Sequence, residues 1–297
     1  MPIKALFLGL VLGLASTVLA AQPTYPELEQ SHDPRLSSRL EAKLEQLDLL
    51  QPAREKRLSV ALADITDLAH PRFAAINPNH MAYAASLPKI AILFGAFARI
   101  QAGEMALDPP TRDSLTRMIR VSSNRDASAM LERVGTRYLA DLLQKPDYRL
   151  YDPARNGGLW AGKPYGKEGT TLRDPLHNLS HGATVLQVAR FYYLLETGQL
   201  VSEALSREMK SILGDPALHH KFVGGLQAVH PEARLFRKSG TWKHWHADSV
   251  LVERDGRRYI AVALAEDAQG ESWLRRLIVG LDEVVDEADP LKVALLK

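Results

Sequence analysis

The sequence predicts an α+β fold (α/β in the broad sense): one antiparallel sheet flanked by N- and C-terminal helices, with an all-helical subdomain inserted in its middle. Three observations lead there. Alternating or β-branched runs sit near both ends of the chain, apolar residues at helical spacing dominate the middle, and the last two strand-like runs are joined by a tight hairpin signal. No internal repeat or linker divides the chain. Residues 22–297 are therefore expected to form one domain, with the sheet part at about 22–86 and 232–297 and the helical part at about 87–231.

The elements follow in order. A single charge at Lys4, an apolar run over 5–14 and small side chains at Val18 and Ala20 read as a signal peptide, residues 1–21, cleaved after Ala20 or Ala21. The alternative is a membrane anchor, but the run is short for a span and ends in small and polar residues. A lipid-anchored form would need a Cys just after it, and the chain has none. The expected product is an exported, periplasmic or secreted chain with no membrane span.

Asp33-Pro34 is a helix start, and Leu36, Leu40, Leu44 and Leu47 recur at helical spacing over 35–50. The period then changes. Residues 58–65 read as a strand and 72–76 as its partner, with a turn at His70-Pro71. Helices are expected over 90–101, 111–120, 125–134, 184–197 and 202–213. Residues 151–175, rich in Gly, Pro and charge, read as a long loop, and loops of that length tend to be functional. Strands return over 234–241, 246–253 and 257–265, the last two linked through Arg254-Asp255-Gly256, before a final amphipathic helix over 271–285.

Composition narrows the chemistry. With 297 residues, 46% hydrophobic and 24% charged, the chain can bury a substantial core. A formal charge of +2 without any Lys/Arg run gives no footprint for nucleic acid. Zero Cys removes disulfides, thiolate metal centres and Cys nucleophiles together, leaving Ser, Thr, Lys, Tyr and carboxylates for covalent work.

Ser86-Leu87-Pro88-Lys89 opens a helix, so Lys89 comes round to the face of Ser86 and, if neutral, could take its proton. The helix N-terminus adds positive potential, and the Ser86 N–H could serve an oxyanion. Alone, Ser86 reads first as an ordinary N-cap. Ser122-Ser123-Asn124 heads another helix, and Lys238-Ser239-Gly240-Thr241 lies on the first returning strand. Each has a bland reading as capping or strand end, but together, in this order and these contexts, they form a constellation.

That constellation resembles the serine β-lactamase and penicillin-binding protein superfamily, closest to class A β-lactamases. The likeness extends from the three motifs over nearly the whole chain after the leader, and is poorest over 151–175. It implies a β-lactamase/transpeptidase-like fold and a serine hydrolase. Ser86 would be acylated, Lys89 would accept its proton, and Ser122 would relay a proton to the leaving amine. Lys238 would hold the Ser122 hydroxyl and the substrate carboxylate, assisted by Ser239 and Thr241. Asn124 would contact the substrate amide or Lys89, and the N–H groups of Ser86 and Thr241, beside Gly240, would form the oxyanion hole. The implied partner is a small β-lactam or D-amino-acid peptide, with no cofactor and no metal.

The pattern also departs from the family. The stretch between Ser86 and Ser122 is short, so the cleft should be more open there. The family's deacylating Glu, set in a Glu-Pro-x-x-Asn turn, finds its nearest text in Asp152-Pro153-Ala154-Arg155-Asn156, which reads equally as a plain turn. Trp160 and Tyr165 belong either to a lid over substrate or to anchors packed into the protein. His177 with His181, and His244 with His246, are spaced for a metal, although a helix start should separate the first pair; His246 is the one expected to reach substrate. Three functions remain open: a β-lactamase, a D,D-peptidase-like penicillin-binding protein, and a slow penicilloyl-trapping or scaffold protein.

Overall fold

The computed structural model describes residues 24–166 and 171–287; the expected signal peptide lies outside them. Asp33 caps the first helix, accepting from the N–H groups of Arg35 and Leu36, and Pro34 occupies its first turn. This helix, α1 (Pro34–Gln46), ends sooner than its leucine spacing predicts, because Asp48 takes a left-handed conformation; a short α2 (Leu50–Arg54) follows. Strands β1 (Leu58–Asp64), β2 (Arg72–Ile76) and β3 (Ala82–Tyr83) lead to α3 (Lys89–Gln101), α4 (Pro109–Arg120) and α5 (Asn124–Val134). A further helix, α6 (Thr136–Leu143), is set off by Gly135 at φ 88°.

The segment read as one long loop contains short strands β4 (Tyr151–Asp152), β5 (Gly157–Gly158) and β6 (Trp160–Ala161). Then come β7 (His181–Ala183), α7 (Val185–Glu196), α8 (Glu203–Leu213) and a short α9 (Lys221–Leu226). Strands β8 (Arg234–Trp242), β9 (Trp245–Arg254) and β10 (Arg257–Glu266) and the closing helix α10 (Gly270–Glu287) match the sequence reading within a few residues. Asp255 and Gly256 both have positive φ, 47° and 74°, between the paired residues Arg254 and Arg257, which is the two-residue turn whose twist suits a hairpin.

The main sheet is antiparallel throughout, in the order β2-β1-β10-β9-β8. Alternation divides its side chains between two cores. Val60, Leu62, Val250, Tyr259 and Ala261 face α1, α9 and α10. Ala61, Ala63, Leu251, Ile260 and Val262 face the inserted helices. Helix α7 is apolar nearly all round and buried from Val185 to Leu195, as a central helix must be. Strand β8 forms one edge of the sheet, and its residues 238–241 lie beside the start of α3. A second small sheet, β3-β7-β6, stands across from it.

Candidate active site

Ser86 lies in a turn just ahead of α3, whose first residue is Lys89 and whose Lys89 N–H donates to the Ser86 carbonyl at 3.2 Å. Ala85, immediately before, is held at φ 49°, a costly conformation for a residue with a side chain. Gly240 of β8 explains how the strand reaches this turn. A Cβ there would sit 2.1 Å from the Ala84 carbonyl oxygen and 2.8 Å from the Ser86 nitrogen, so only glycine allows the approach. The N–H of Ser86 and the adjoining Gly240-Thr241 backbone thereby face one site, the arrangement an oxyanion requires.

Lys89 is fully buried at the foot of the cleft. Its Nζ donates to the Ser122 carbonyl at 2.6 Å, to Asn124 Oδ1 at 2.8 Å and to Ser122 Oγ at 3.2 Å. From the other side Lys238 Nζ donates to Ser122 Oγ at 2.9 Å and to the Ser239 carbonyl at 2.7 Å. One hydroxyl thus bridges two lysines. Burial lowers Lys89 to about 7. Lys238 is driven well below an ordinary lysine, first by burial and then by the charge of Lys89. Ser122 holds this position with φ 57°, a strained geometry sustained by the network around it. Ser123 caps α5, accepting from the Asp126 N–H, and Asp126 is tied to Arg117, Ser114 and Ser123, which hold its carboxyl down at about 2.

Along β8, Lys238 reaches the cleft, Arg237 points to the segment before α9, and Thr241, near the strand's end, lines the cleft while its hydroxyl meets α9. There the structure supplies a group that the sequence did not signal. Lys221, buried at the start of α9, donates to Thr241 Oγ1 at 2.7 Å and to the Gly240 carbonyl at 2.6 Å, and burial lowers it to about 8. Behind it, Arg237 and Asp248 form a buried bidentate pair at 2.7 and 2.6 Å, which also accepts the Phe222 N–H and so fixes α9 to the sheet.

Ser86, Lys89, Ser122, Asn124, Lys238, Ser239, Gly240 and Thr241 are therefore gathered in one place. Asp152 is not brought to them. Its carboxylate accepts from the Ala154 N–H and caps a single 3-10 turn, the plain-turn alternative, because the two-residue strand β4 turns it toward that cap. The neighbour of Lys89 on that side is Tyr165, whose ring lies 4.6 Å from Nζ. Tyr165 is locked by Ser128, which exchanges hydrogen bonds with its N–H and carbonyl, and its ring stacks on His181 at 4.1 Å. Trp160 and Tyr165 are both buried, so they serve as anchors.

The histidines also separate. His177 faces the Asn156 carbonyl, while His181 stands on β7 in the cleft wall. His246 does not reach the cleft: it is buried against Gly270, because alternation on β9 directs it to the α10 side. Among the described residues no group of three His, Asp or Glu is placed to hold a metal ion.

The cleft encloses about 440 Å³, with Ser86, Asn124, Tyr83, Lys163, Tyr165, His181, Thr241 and Trp242 in its lining. Among the described residues no Asp or Glu lines it. A cavity of about 480 Å³ lies elsewhere, between α8 and the start of β8. Its cations Lys210 and Arg234 are already paired with Glu253 and Arg207 with Glu203, and its hydroxyl, Ser211, faces the Arg112 guanidinium at 3.5 Å, so the Ser86 cleft is the candidate site.

The sequence matches a family described as the β-lactamase enzyme family over residues 109–280. A search of curated proteins returns no match. Among solved structures, a β-lactamase from Sphaerobacter thermophilus is similar with a TM-score of 0.62 and 14% identity, covering 86% of this chain and 98% of its own. PBP-A is similar at 0.65 and 15%, covering 89% and 100%. A PBP-A variant described as an acyl-enzyme complex with penicillin G matches at 0.64 and 15%, covering 85% and 97%. At such identities the likeness speaks for the fold.

Proposed function

Because the chain belongs to the β-lactamase enzyme family, we propose that it is an exported serine hydrolase that opens β-lactam rings through an acyl-enzyme at Ser86. The observation that carries this reading is the bridge from Lys89 through Ser122 Oγ to Lys238 beside Ser86. Ser86 Oγ attacks the lactam carbonyl while neutral Lys89 takes its proton. The developing oxyanion is met by the N–H groups of Ser86 and Thr241. As the C–N bond breaks, Ser122 gives its proton to the leaving nitrogen and is reprotonated from the lysine side. Water then cleaves the ester. Lys238, with Ser239, Thr241 and Lys221 behind them, attracts the substrate carboxylate. The leader 1–21 is the proposed export signal for this domain, and among the described residues no helix is long and apolar enough to cross a membrane.

A second reading, a D,D-peptidase-like penicillin-binding protein, is favoured by one specific feature: Lys89 meets the Tyr165 ring, and Asp152 is engaged in its own turn. With no Asp or Glu among the described cleft residues to align water, acylation would outrun release. Misplacement of a reacting group by about 1 Å can cost about 10² in rate. Mass spectrometry of the protein with a penicillin over time decides between them. A transient adduct on Ser86 with accumulating penicilloate supports hydrolysis, and a lasting adduct supports the penicillin-binding reading. Hydrolysis undiminished in Ser86→Ala would overturn both.

A further inference from the structure

The two walls of the Ser86 cleft carry different charges for different purposes. At the β8 wall, Lys238 and Lys221 gather around the strand that would meet the ring carboxylate. The opposite wall is made by the segment after β6 and the start of β7, with Lys163, Tyr165, Ser180 and His181. Lys163 is half-buried there, and its ammonium makes no hydrogen bond or ion pair with any described residue. Its backbone is fixed, since the Lys163 carbonyl meets His181 Nε2 at 2.9 Å. Its charge is felt inside the wall: with Lys89 it opposes protonation of His181, which burial already holds neutral at about 4. No Asp or Glu among the described residues lines the cleft to neutralise it. A half-buried cation facing a cleft lined by no described Asp or Glu gains most from an anion that arrives with the ligand and displaces water, because attraction strengthens as the local dielectric falls.

Resting on the acyl-transfer reading above, we propose that the cleft selects substrates whose acyl half bears its own carboxylate, held by Lys163 opposite the carboxylate site of β8. The preferred substrate is thus a doubly anionic amide, with one carboxylate on each side of the scissile bond. The Ser180 hydroxyl, 3.1 Å from His181 Nδ1, borders the same place and offers a second polar contact.

Benzylpenicillin and carbenicillin differ by a single carboxylate on the acyl side chain, so they form a matched pair of probes. The second-order rate constant for Ser86 acylation is measured with each in the native protein, Lys163→Gln and Lys163→Arg. The carbenicillin-to-benzylpenicillin ratio is expected to fall about tenfold in Lys163→Gln and to recover in Lys163→Arg, the size of losing one charge-assisted contact. In the native protein, raising NaCl to about 0.5 M should compress the same ratio several-fold, a readout that needs no variant. A ratio unchanged by both the substitution and salt would overturn the proposal, as would an equal loss with both penicillins. Ligand-observed NMR titration of Ser86→Ala with the two compounds separates the premises. If the native protein is acylated by neither, the hydrolase reading fails, while stronger binding of carbenicillin that needs Lys163 would still uphold the anion site, and equal binding would remove it.

Discussion

Lys89 has been taken far from the water that ordinarily keeps an ammonium charged, and that displacement sets how the site should respond to pH. With the group lowered to about 7, the neutral base needed for Ser86 is populated as pH rises through 7. Lys221 loses its charge near 8, and the positive field behind Thr241 fades above that. The acylation rate constant kcat/KM, or its single-turnover equivalent, should therefore be bell-shaped, with limbs at about 7 and 8. Lys221→Met should lower the maximum and abolish the alkaline limb. The stability linkage has the same origin. Between about 7 and 10.5 the native Lys89 is neutral while the unfolded one is still charged, so the unfolded state binds more protons and this residue makes stability rise with pH across that window.

Tyr165 is the second residue with a separable effect. Its ring covers Lys89, and its hydroxyl is buried without a hydrogen-bond partner among the described residues. Tyr165→Ala should admit water and move the acid limb upward by about one pH unit. Tyr165→Phe should leave that limb in place and keep or raise stability by about 1 kcal/mol in denaturant titrations, because it removes an unsatisfied polar atom.

At the scale of elements, the site depends on the fit between an edge strand and a helix start. Gly240→Ala would drive a methyl group into the Ala84 carbonyl and the Ser86 nitrogen. Penicillin acylation should fall by at least about 10² through the displaced oxyanion donors, with far-ultraviolet circular dichroism unchanged. Most elements were legible because their periods were clean: the leucines of α1, the alternation of β8 and β9, and the Asp255-Gly256 turn each carry a local physical signal. Helices α6 and α9 were not, since α6 begins without a side-chain cap and α9 is short and contains Gly224-Gly225. The motifs proposed to be catalytic were readable because their residues are close in sequence or follow a known order. The Tyr165 ring on Lys89, Lys221 beneath Thr241 and the inward turn of His246 were not, because each is decided by packing between segments distant in the chain.

The whole molecule is organised around a sheet that both cores share, with Val60 and Ala61, adjacent in β1, facing opposite sides. Its formal charge of +2 is too small to steer anionic ligands over long distances. The attraction for the ring carboxylate must come from Lys238 and Lys221 at short range, where screening acts weakly on buried charges, whereas the half-buried Lys163 is more open to salt. Benzylpenicillin acylation should then fall no more than about threefold between 0.05 and 0.5 M NaCl, and a steep decline would show a long-range field at work.

The hairpin between β9 and β10 has a practical consequence. Thr241 pairs with His246 at the cleft end of β9, whereas the Asp255-Gly256 turn closes the other end of that strand, about 30 Å away at ordinary strand rise. Exposed hairpin tips tolerate insertions, and the chain contains zero cysteines. A short flexible insert carrying one cysteine at this turn would thus provide a unique attachment point. The protein could be tethered to an electrode, bead or fluorophore with its reactive cleft facing outward, ready to report β-lactams in solution.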